Sequence, residues 1–453
     1  MRLITRLKAF AEDRRLYVLS LDGVPYSFLQ EEFKKGNLPY LNKLFREGSF
    51  RQMNSTLPPI SSVAWSTYMT GKNPAAHNIF GFIDRVPSTL KLYIPMAKDM
   101  KAKTIWDFLS ARRKKIIVIN LPVTSPPRQV NGILIGGFLA PTLEKAVYPS
   151  SLIPKLKELG YKIDIDAQQA RKDRNKFIDD LYYSTNRRLE TATYLMNTQP
   201  WDFFHLHIMG TDRIGHFLWK RWEENDPYFA PKFNHYFKTL DEYIGTILIP
   251  SIDNHDNSAL LFLSDHGFCK LRKEVYINTF LQNIGWLRFK SDTTQNLYEM
   301  HPESKAYSLI PGRIYLNVKN REIHGCIDKG RDYERICREL ADILIDMKDP
   351  LSGERMIKQI YKGSDIYQGP FAHLAPDLVL IPVNGYELKG EINTPSWIME
   401  SELDGMHTYN DAFVFIRDHK IVKEECSIID VTPTIFNLMN IDIDAVFDGQ
   451  CLI

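Results

Sequence analysis

Cysteine is scarce in this sequence, with five in 453 residues, an odd number without a CxxC pair. Cys269, Cys326, Cys337, Cys426 and Cys451 are too dispersed for a disulfide framework and fit reduced thiols of a cytoplasmic protein. Long hydrophobic runs are missing too. No stretch reaches the roughly 18 consecutive apolar residues of a membrane span, so no transmembrane segment is expected. The N-terminus, Met1-Arg2-Leu3-Ile4-Thr5-Arg6-Leu7-Lys8, interleaves charge with apolar side chains and holds no signal-peptide core. A first helix there would be weakly amphipathic at most. Charge of one sign is absent as well: 57 basic residues against 55 acidic leave +2, with no long like-charged block. Polynucleotide binding driven by bulk charge is thereby disfavoured. Neither a repeat nor a low-complexity tract is present.

What remains is ordinary globular composition, 44% hydrophobic and 25% charged, in a chain too long for one simple core. Short apolar runs at Leu16–Leu21, Lys115–Asn120, Asp202–Ile208, Ala259–Ser264, Asp377–Ile381 and Ala412–Ile416 predict buried strands. They are apolar on both alternating faces, as parallel strands covered by helices require. Helical periods occupy Leu38–Gly48, Ser62–Thr70, Thr104–Arg112, Phe177–Asn197, Phe233–Ile249 and Tyr333–Met347. This alternation predicts an α/β fold built on a doubly wound, mostly parallel sheet. Residues 72–103, rich in Pro, Asn and aromatics, read as a surface excursion over one sheet edge. Residues 268–370 read as an inserted α+β cap, leaving 14–267 and 371–453 as the core and 1–13 as an N-terminal extension.

Ligands of open α/β sheets sit beyond the carboxyl ends of the strands, so the residues there carry the chemistry. The first strand ends in Asp22-Gly23, and another ends in Ser264-Asp265-His266-Gly267. After a third comes Asp212-Arg213-Ile214-Gly215-His216, whose Asp and His share a helical face at a spacing of four. Near the end, Asp404-Gly405-Met406-His407 leads into the last strand. Singly, each has a plain structural explanation: a turn, a cap, a surface pair. Together, carboxylates and imidazoles at strand ends suit Zn²⁺, with Mn²⁺ or Fe²⁺ also accommodated. A hydroxyl pair, Ser61-Ser62, follows the rigid Thr56-Leu57-Pro58-Pro59-Ile60 approach and opens a helix closed by Gly71. Capping explains one serine but not both. Helix N-termini favour anions, and a serine oxygen ionised there by a metal becomes a nucleophile.

Leu-Asp22-Gly, Pro-Pro-Ile-Ser61, Thr70-Gly71-Lys-Asn-Pro74-Ala-Ala-His77-Asn-Ile79, Asp212-x-x-x-His216, Ser264-Asp265-His266-Gly267 and Gly405-x-His407 occur in this order. This set resembles the alkaline phosphatase superfamily, most closely its type I phosphodiesterase/nucleotide pyrophosphatase branch. The likeness extends from about residue 16 through the ending Ile429-Asp430-Val431-Thr432-Pro433-Thr434-Ile435. It implies an alkaline-phosphatase-like core with two divalent cations, most readily zinc. One would be held by Asp212, His216 and His407, the other by Asp22, Asp265, His266 and the Ser61 oxygen. The family's spacing, ten residues before the glycine of the Thr-Gly pair, selects Ser61 over Ser62. The implied reaction is in-line attack of Ser61 on phosphorus, a phosphoseryl intermediate and hydrolysis, with a small-molecule phosphate ester as partner.

There are departures. Phe82 stands about where nucleotide pyrophosphatases place a phosphate-binding asparagine, and Asn78 replaces their usual glycine. The sulfatase pattern C/S-x-P-x-R is not met by Ser61-Ser62-Val63-Ala64-Trp65. A monoester dianion calls for an extra cation. Lys72, past the far end of the Ser61 helix, would lie roughly 15 Å away. Arg213 is the nearer candidate for phosphate binding. Without a clear cation, diester or pyrophosphate substrates are favoured over monoesters. Trp65, four residues after Ser61, is a candidate stacking surface for a leaving group. The cap, through residues such as Tyr276, Trp286 or Arg313, would set that group. The alternatives are a phosphomonoesterase, a phosphotransferase like cofactor-independent phosphoglycerate mutase, and a non-catalytic scaffold retaining the fold.

Overall fold

The computed structural model describes residues 14–166, 171–255, 257–291 and 296–453. The N-terminal extension and its expected helix lie outside the described residues. The main sheet has nine strands: β1 (Arg15–Leu21), β2 (Gly48–Asn54), β3 (Ile116–Ile119), β4 (Gly132–Ile135), β5 (Val147–Tyr148), β6 (Phe203–Ile208), β7 (Ser258–Leu263), β8 (Ala412–Arg417) and β9 (Cys426–Ser427). They lie side by side in the order β9-β2-β8-β7-β1-β6-β3-β4-β5. The central run β7-β1-β6-β3-β4 is parallel, while β8 runs antiparallel to β7 and β5 antiparallel to β4. The fold is therefore α/β with a mostly parallel sheet. Ala412–Ile416, with both faces buried like a parallel strand, is antiparallel. Burial on both faces reports helical cover and not strand direction.

Alternate side chains of β1 feed two cores. Tyr17, Leu19 and Leu21 join Phe204, Leu206 and Ile208 of β6 under the helices Arg174–Thr198, Gly210–Glu223 and Phe229–Tyr243. Leu16 and Val18 face the other way, toward Trp65, Tyr68, Ile105, Leu109 and Ile435. Each face thus buries a separate apolar layer, the physical meaning of a doubly wound sheet.

The remaining sheets are small. Ala306–Leu309, Arg313–Leu316, Leu378–Pro382 and Ile357–Lys362 form an antiparallel sheet in that order. The helix Arg331–Ile345 buries Ile336, Cys337, Leu340 and Leu344 in the same apolar layer. Asp377–Ile381, expected as a buried core strand, belongs to this sheet, so the smaller layer continues past residue 370. An antiparallel pair, Gly267–Lys270 with Gly405–Thr408, forms a separate two-stranded sheet that begins just past the end of β7. Residues 72–103 are also more than a surface excursion. Arg85 is buried, 3.0 Å from Glu322, and its guanidinium stacks 3.7 Å from the Tyr315 ring centroid. This segment ties the core to the smaller layer.

One aromatic cluster closes the β2–β8 end. Phe45 stacks on Phe415 at 4.3 Å and meets Phe50 at 4.8 Å, with Phe33, Phe262 and Phe413 around it. Phe45→Ala should cost about 3–5 kcal/mol, read as a lower midpoint in urea denaturation, because so enclosed a ring leaves a cavity. A midpoint equal to that of the wild type would show that the cluster relaxes into the space.

Candidate active site

Three adjacent strands, β7, β1 and β6, deliver the site. Leu21 pairs with Ile208 and Ser20 with Leu263, so their carboxyl ends are level. The segments leaving these strands therefore meet at one rim: Asp22 after β1, Asp265 and His266 after β7, and Asp212 in the first turn of helix Gly210–Glu223 after β6. Gly23 makes the first turn possible. Its φ is 68°, and a Cβ there would stand 3.0 Å from the Phe268 ring and 3.2 Å from the His266 ring. Its N–H donates to Asp265 Oδ1 at 3.1 Å. His407 arrives from the pair Gly267–Lys270/Gly405–Thr408, directly opposite Phe268.

The seven residues singled out from the sequence come together. Ser61 Oγ donates to Asp22 Oδ1 at 3.2 Å and lies 3.1 Å from His266 Nε2. His266 Nε2 is 3.3 Å from Asp265 Oδ2 and 3.6 Å from Asp22 Oδ1. On the other side, Asp212 Oδ1 stands 3.1 Å from His407 Nε2 and 3.4 Å from His216 Nε2. The two groups touch, for the rings of His266 and His407 stack at 3.6 Å. Asp22-Asp265-His266 and Asp212-His266-His407 each place one ligand atom per residue within 4.8 Å of the others.

The histidine rings are oriented from behind. Nδ1 of His216 faces the carbonyl of Gly405 at 3.0 Å, that of His266 the carbonyl of Gly267 at 3.0 Å, and that of His407 the carbonyl of Pro59 at 3.2 Å. A carbonyl only accepts, so each Nδ1 carries the proton and each Nε2 turns a lone pair inward. Such backing is typical of metal-ligating histidines. His216 and His407 bring their Nε2 atoms within 3.0 Å of each other, an approach that two bare lone pairs tolerate only with a cation or proton between them. Asp265 Oδ2 is buried with no hydrogen-bond partner among the described residues. The donor set, its inward aim and this orphaned oxygen fit divalent cations.

The titrating groups of the cluster lean on one another. Burial, followed by the nearby carboxylates of Asp22 and Asp212, pushes the Asp265 carboxyl well above its ordinary range. Asp212 also suffers burial, but His216 and His407 outweigh it and hold the carboxyl well below the usual range. Burial, with His407 alongside, lowers His266 to about 3. His407 is raised despite burial because Asp212 faces it.

Ser61 opens the helix Ser61–Thr70, all ten residues of which are buried. Ile60 is its N-cap, so Ser61 and Ser62 occupy the first two helical positions and do not form a capping pair. Their amides belong to the first turn, where N–H groups have no intrahelical acceptor. Ser62 Oγ is buried without a hydrogen-bond partner among the described residues, whereas Ser61 Oγ faces the carboxylate and imidazole. Asn78 has φ 68° and caps the turn after His77, the backbone conformation for which glycine is the usual choice. His77 itself is structural, 3.0 Å from Thr67 Oγ1 and held neutral by burial, its pKa lowered to about 3.

Other expected substrate contacts are corrected. Trp65 is fully buried, and its indole N–H donates to Asp22 Oδ2 at 2.8 Å, so its ring offers no stacking surface. The Arg213 guanidinium lies 4.5 Å from the Phe138 ring centroid, 2.5 Å from Asp164 Oδ2 and 3.4 Å from Asp212 Oδ2, so its charge is already matched. Lys72 pairs with Asp448 at 2.9 Å. Tyr276, Trp286 and Arg313 are all buried; Arg313 binds the carbonyls of Ile310 and Ile83. Reading the sequence also missed Ser20, His205 and His207 beneath Asp22. Their signal was a His-Leu-His alternation inside an otherwise apolar strand.

A family model described as type I phosphodiesterase / nucleotide pyrophosphatase matches residues 16–410. No curated protein matches the chain. Among solved structures, phosphonoacetate hydrolase from Sinorhizobium meliloti 1021, in complex with phosphonoformate, is 15% identical with a TM-score of 0.65, covering 95% of this chain and 96% of that one. Murine ectonucleotide pyrophosphatase/phosphodiesterase 5 in complex with AMP is 13% identical with a TM-score of 0.58, covering 97% and 98%. The human protein of that name is 13% identical with a TM-score of 0.57, covering 96% and 97%. At such identities these likenesses speak for the alkaline-phosphatase-like fold, whereas the family match spans most of the sequence. The chain belongs to the type I phosphodiesterase / nucleotide pyrophosphatase family, whose members are hydrolases of phosphoric esters.

Proposed function

We propose that the protein hydrolyses phosphodiester or pyrophosphate bonds of small molecules, with Ser61 as nucleophile beside two divalent cations, most readily Zn²⁺ or Mn²⁺. The observation that carries this reading is Ser61 Oγ held between Asp22 Oδ1 and His266 Nε2 at the edge of a buried cluster of inward-facing lone pairs. Asp22, Asp265 and His266 would hold one cation with the Ser61 oxygen, and Asp212, His216 and His407 the other. Bound there, the cations supply Lewis acidity toward the serine oxygen and the departing oxygen.

The chain's own groups do the rest. Ser61 Oγ gives up its proton, which Asp22 Oδ1 is placed to receive, and forms a bond to phosphorus as the ester oxygen leaves on the opposite side. Water then displaces the serine from the phosphoseryl intermediate and restores the hydroxyl. The N-terminus of helix Ser61–Thr70 presents free N–H groups to the phosphoryl oxygens. Arg213 and Lys72 are both neutralised by carboxylates, so the second negative charge of a monoester has neither as partner. This favours diesters. The small α+β layer, expected over 268–370 and carried by its strands to Leu378–Pro382, would shape the leaving-group side. The phosphonoformate and AMP complexes of the structural neighbours fit a ligand of this size and charge. No helix among the described residues is long and apolar enough to cross a membrane, and five free cysteines are compatible with a cytoplasmic setting.

Ser61→Ala should reduce turnover of bis-p-nitrophenyl phosphate by on the order of a thousandfold or more while leaving metal content nearly intact. Ser62→Ala should stay near the wild-type rate; the reverse pattern would move the nucleophile by one residue. Zinc or manganese should be found at about two per chain, and chelation should abolish activity that either metal restores. Fewer than one metal per chain after metal-replete purification would replace this reading with a scaffold. Faster turnover of p-nitrophenyl phosphate than of the diester, or isomerisation of 3-phosphoglycerate without hydrolysis, would replace the diesterase with a monoesterase or a mutase.

A further inference from the structure

Below the rim, a line of polar side chains runs into the core on the face covered by helix Ser61–Thr70. The parallel register pairs Val18 with His205 and Ser20 with His207, which puts Ser20 of β1 and both histidines of β6 on that face. Ser20, Tyr68, His205 and His207 are fully buried. Ser20 Oγ lies 2.8 Å from His205 Nε2 and 2.8 Å from His207 Nδ1. Tyr68 OH lies 3.2 Å from His205 Nδ1. At the other end, His207 Nε2 stands 3.2 Å from Asp22 Oδ2, a close contact out of line for a hydrogen bond, and it has no hydrogen-bond partner among the described residues. The same Oδ2 accepts the Trp65 indole N–H, leaving Oδ1 for Ser61.

The protons in this line can be counted. Both rings are fully buried, with Ser20 and Tyr68 offering His205 only hydroxyls, so the count is made with neutral rings. A carboxylate only accepts, which places the His207 proton on Nε2. Its Nδ1 is then bare and takes the Ser20 O–H. Ser20 has one proton, so its oxygen must accept from His205 Nε2–H. His205 Nδ1 is bare in turn and takes the Tyr68 O–H. Tyr68, His205 and Ser20 then each donate to the next member, and His207 turns its Nε2–H toward Asp22 Oδ2 at 3.2 Å in a charge contact, so the line has a single direction from Tyr68 toward Asp22.

We propose that Tyr68, His205, Ser20 and His207 form a positioning array for Asp22. The array fixes His207 as its Nε2–H tautomer and, with Trp65, pins Oδ2 so that Oδ1 is presented to Ser61 and to the cation. These residues touch no substrate and act through Asp22. The effect on the cation rests on the two-cation reading of the active site; the tautomer assignment does not.

Nitrogen-15 NMR of the full chain with labelled histidine should show both His205 and His207 protonated at Nε2 and bare at Nδ1. A His207 protonated at Nδ1 would overturn the array. Ser20→Ala breaks the line at its centre with a small, compact side chain. It should lower zinc affinity at one of the two sites by about tenfold or more in chelator competition, as loss of an outer partner does. In the same variant kcat should fall more than KM rises, and the His207 signals should lose their single tautomer. A variant whose melting temperature drops without metal while its zinc affinity and tautomer stay as in the wild type would reduce the array to core packing. If the wild-type chain itself binds no zinc, the two-cation reading fails, while the wild-type tautomers still decide the array.

Discussion

The structure turns on like meeting like in a buried space. Three carboxylates and three imidazole lone pairs converge at the ends of β1, β6 and β7, close enough that His216 and His407 approach nitrogen to nitrogen at 3.0 Å. Without a counter-charge such an arrangement works against folding, because buried charges and unpaired lone pairs each cost several kcal/mol. The Asp265 carboxyl registers that strain by moving well above its ordinary range under burial and two neighbouring carboxylates. Divalent cations would reverse the sign of the whole cluster, turning mutual repulsion into shared attraction. The same field would draw the Ser61 hydroxyl toward ionisation.

The fold makes this convergence possible through strand direction. Parallel neighbours release their loops on the same side, so residues far apart in sequence, such as Asp22, Asp212 and Asp265, come to one rim without special loops. Helix Ser61–Thr70 then approaches with its N-terminus foremost. A fully buried helix can be placed this way because its polar side chains bond back to its own carbonyls. Ser66 Oγ reaches Ser62 O at 2.6 Å, and Thr70 Oγ1 reaches Ser66 O at 2.7 Å. The helix thus brings its dipole and free amides to the rim while exposing almost nothing.

The legible and the hidden features of the sequence differ in the range of the forces behind them. Asp22-Gly23 and Asp265-His266-Gly267 could be read because a strand end followed by glycine is a local pattern, and Asp212/His216 because four residues make a helical turn. Direction within the sheet was hidden, since Ala412–Arg417 is as thoroughly apolar as a parallel strand. Leu378–Pro382 was hidden for a related reason: it pairs with Arg313–Leu316 and Ile357–Lys362 and not with the main sheet. Trp65 shows a subtler limit. Ser61 and Trp65 both reach Asp22 from one face of the helix, but the spacing does not say whether a ring looks outward to a ligand or inward to Asp22. Arg213 was open to the same ambiguity until Asp164, 49 residues earlier in the chain, took its charge.

The polar line under Asp22 bears on why such ambiguity resolves inward. A strand face that carries His205 and His207 among apolar neighbours would be destabilising if either ring lacked a partner. Ser20, a single hydroxyl that both donates and accepts, is the smallest group able to satisfy two imidazoles at once. Tyr68 satisfies the far end from the same helix that carries Ser61, three and four residues beyond Trp65 and Ala64 respectively. One helix thereby supplies the nucleophile, the indole donor to Asp22 and the terminus of the line, so a shift of that helix would disturb all three together. Coupling of this kind lets a buried network, costly if incomplete, hold a carboxylate oxygen in place more firmly than apolar packing could.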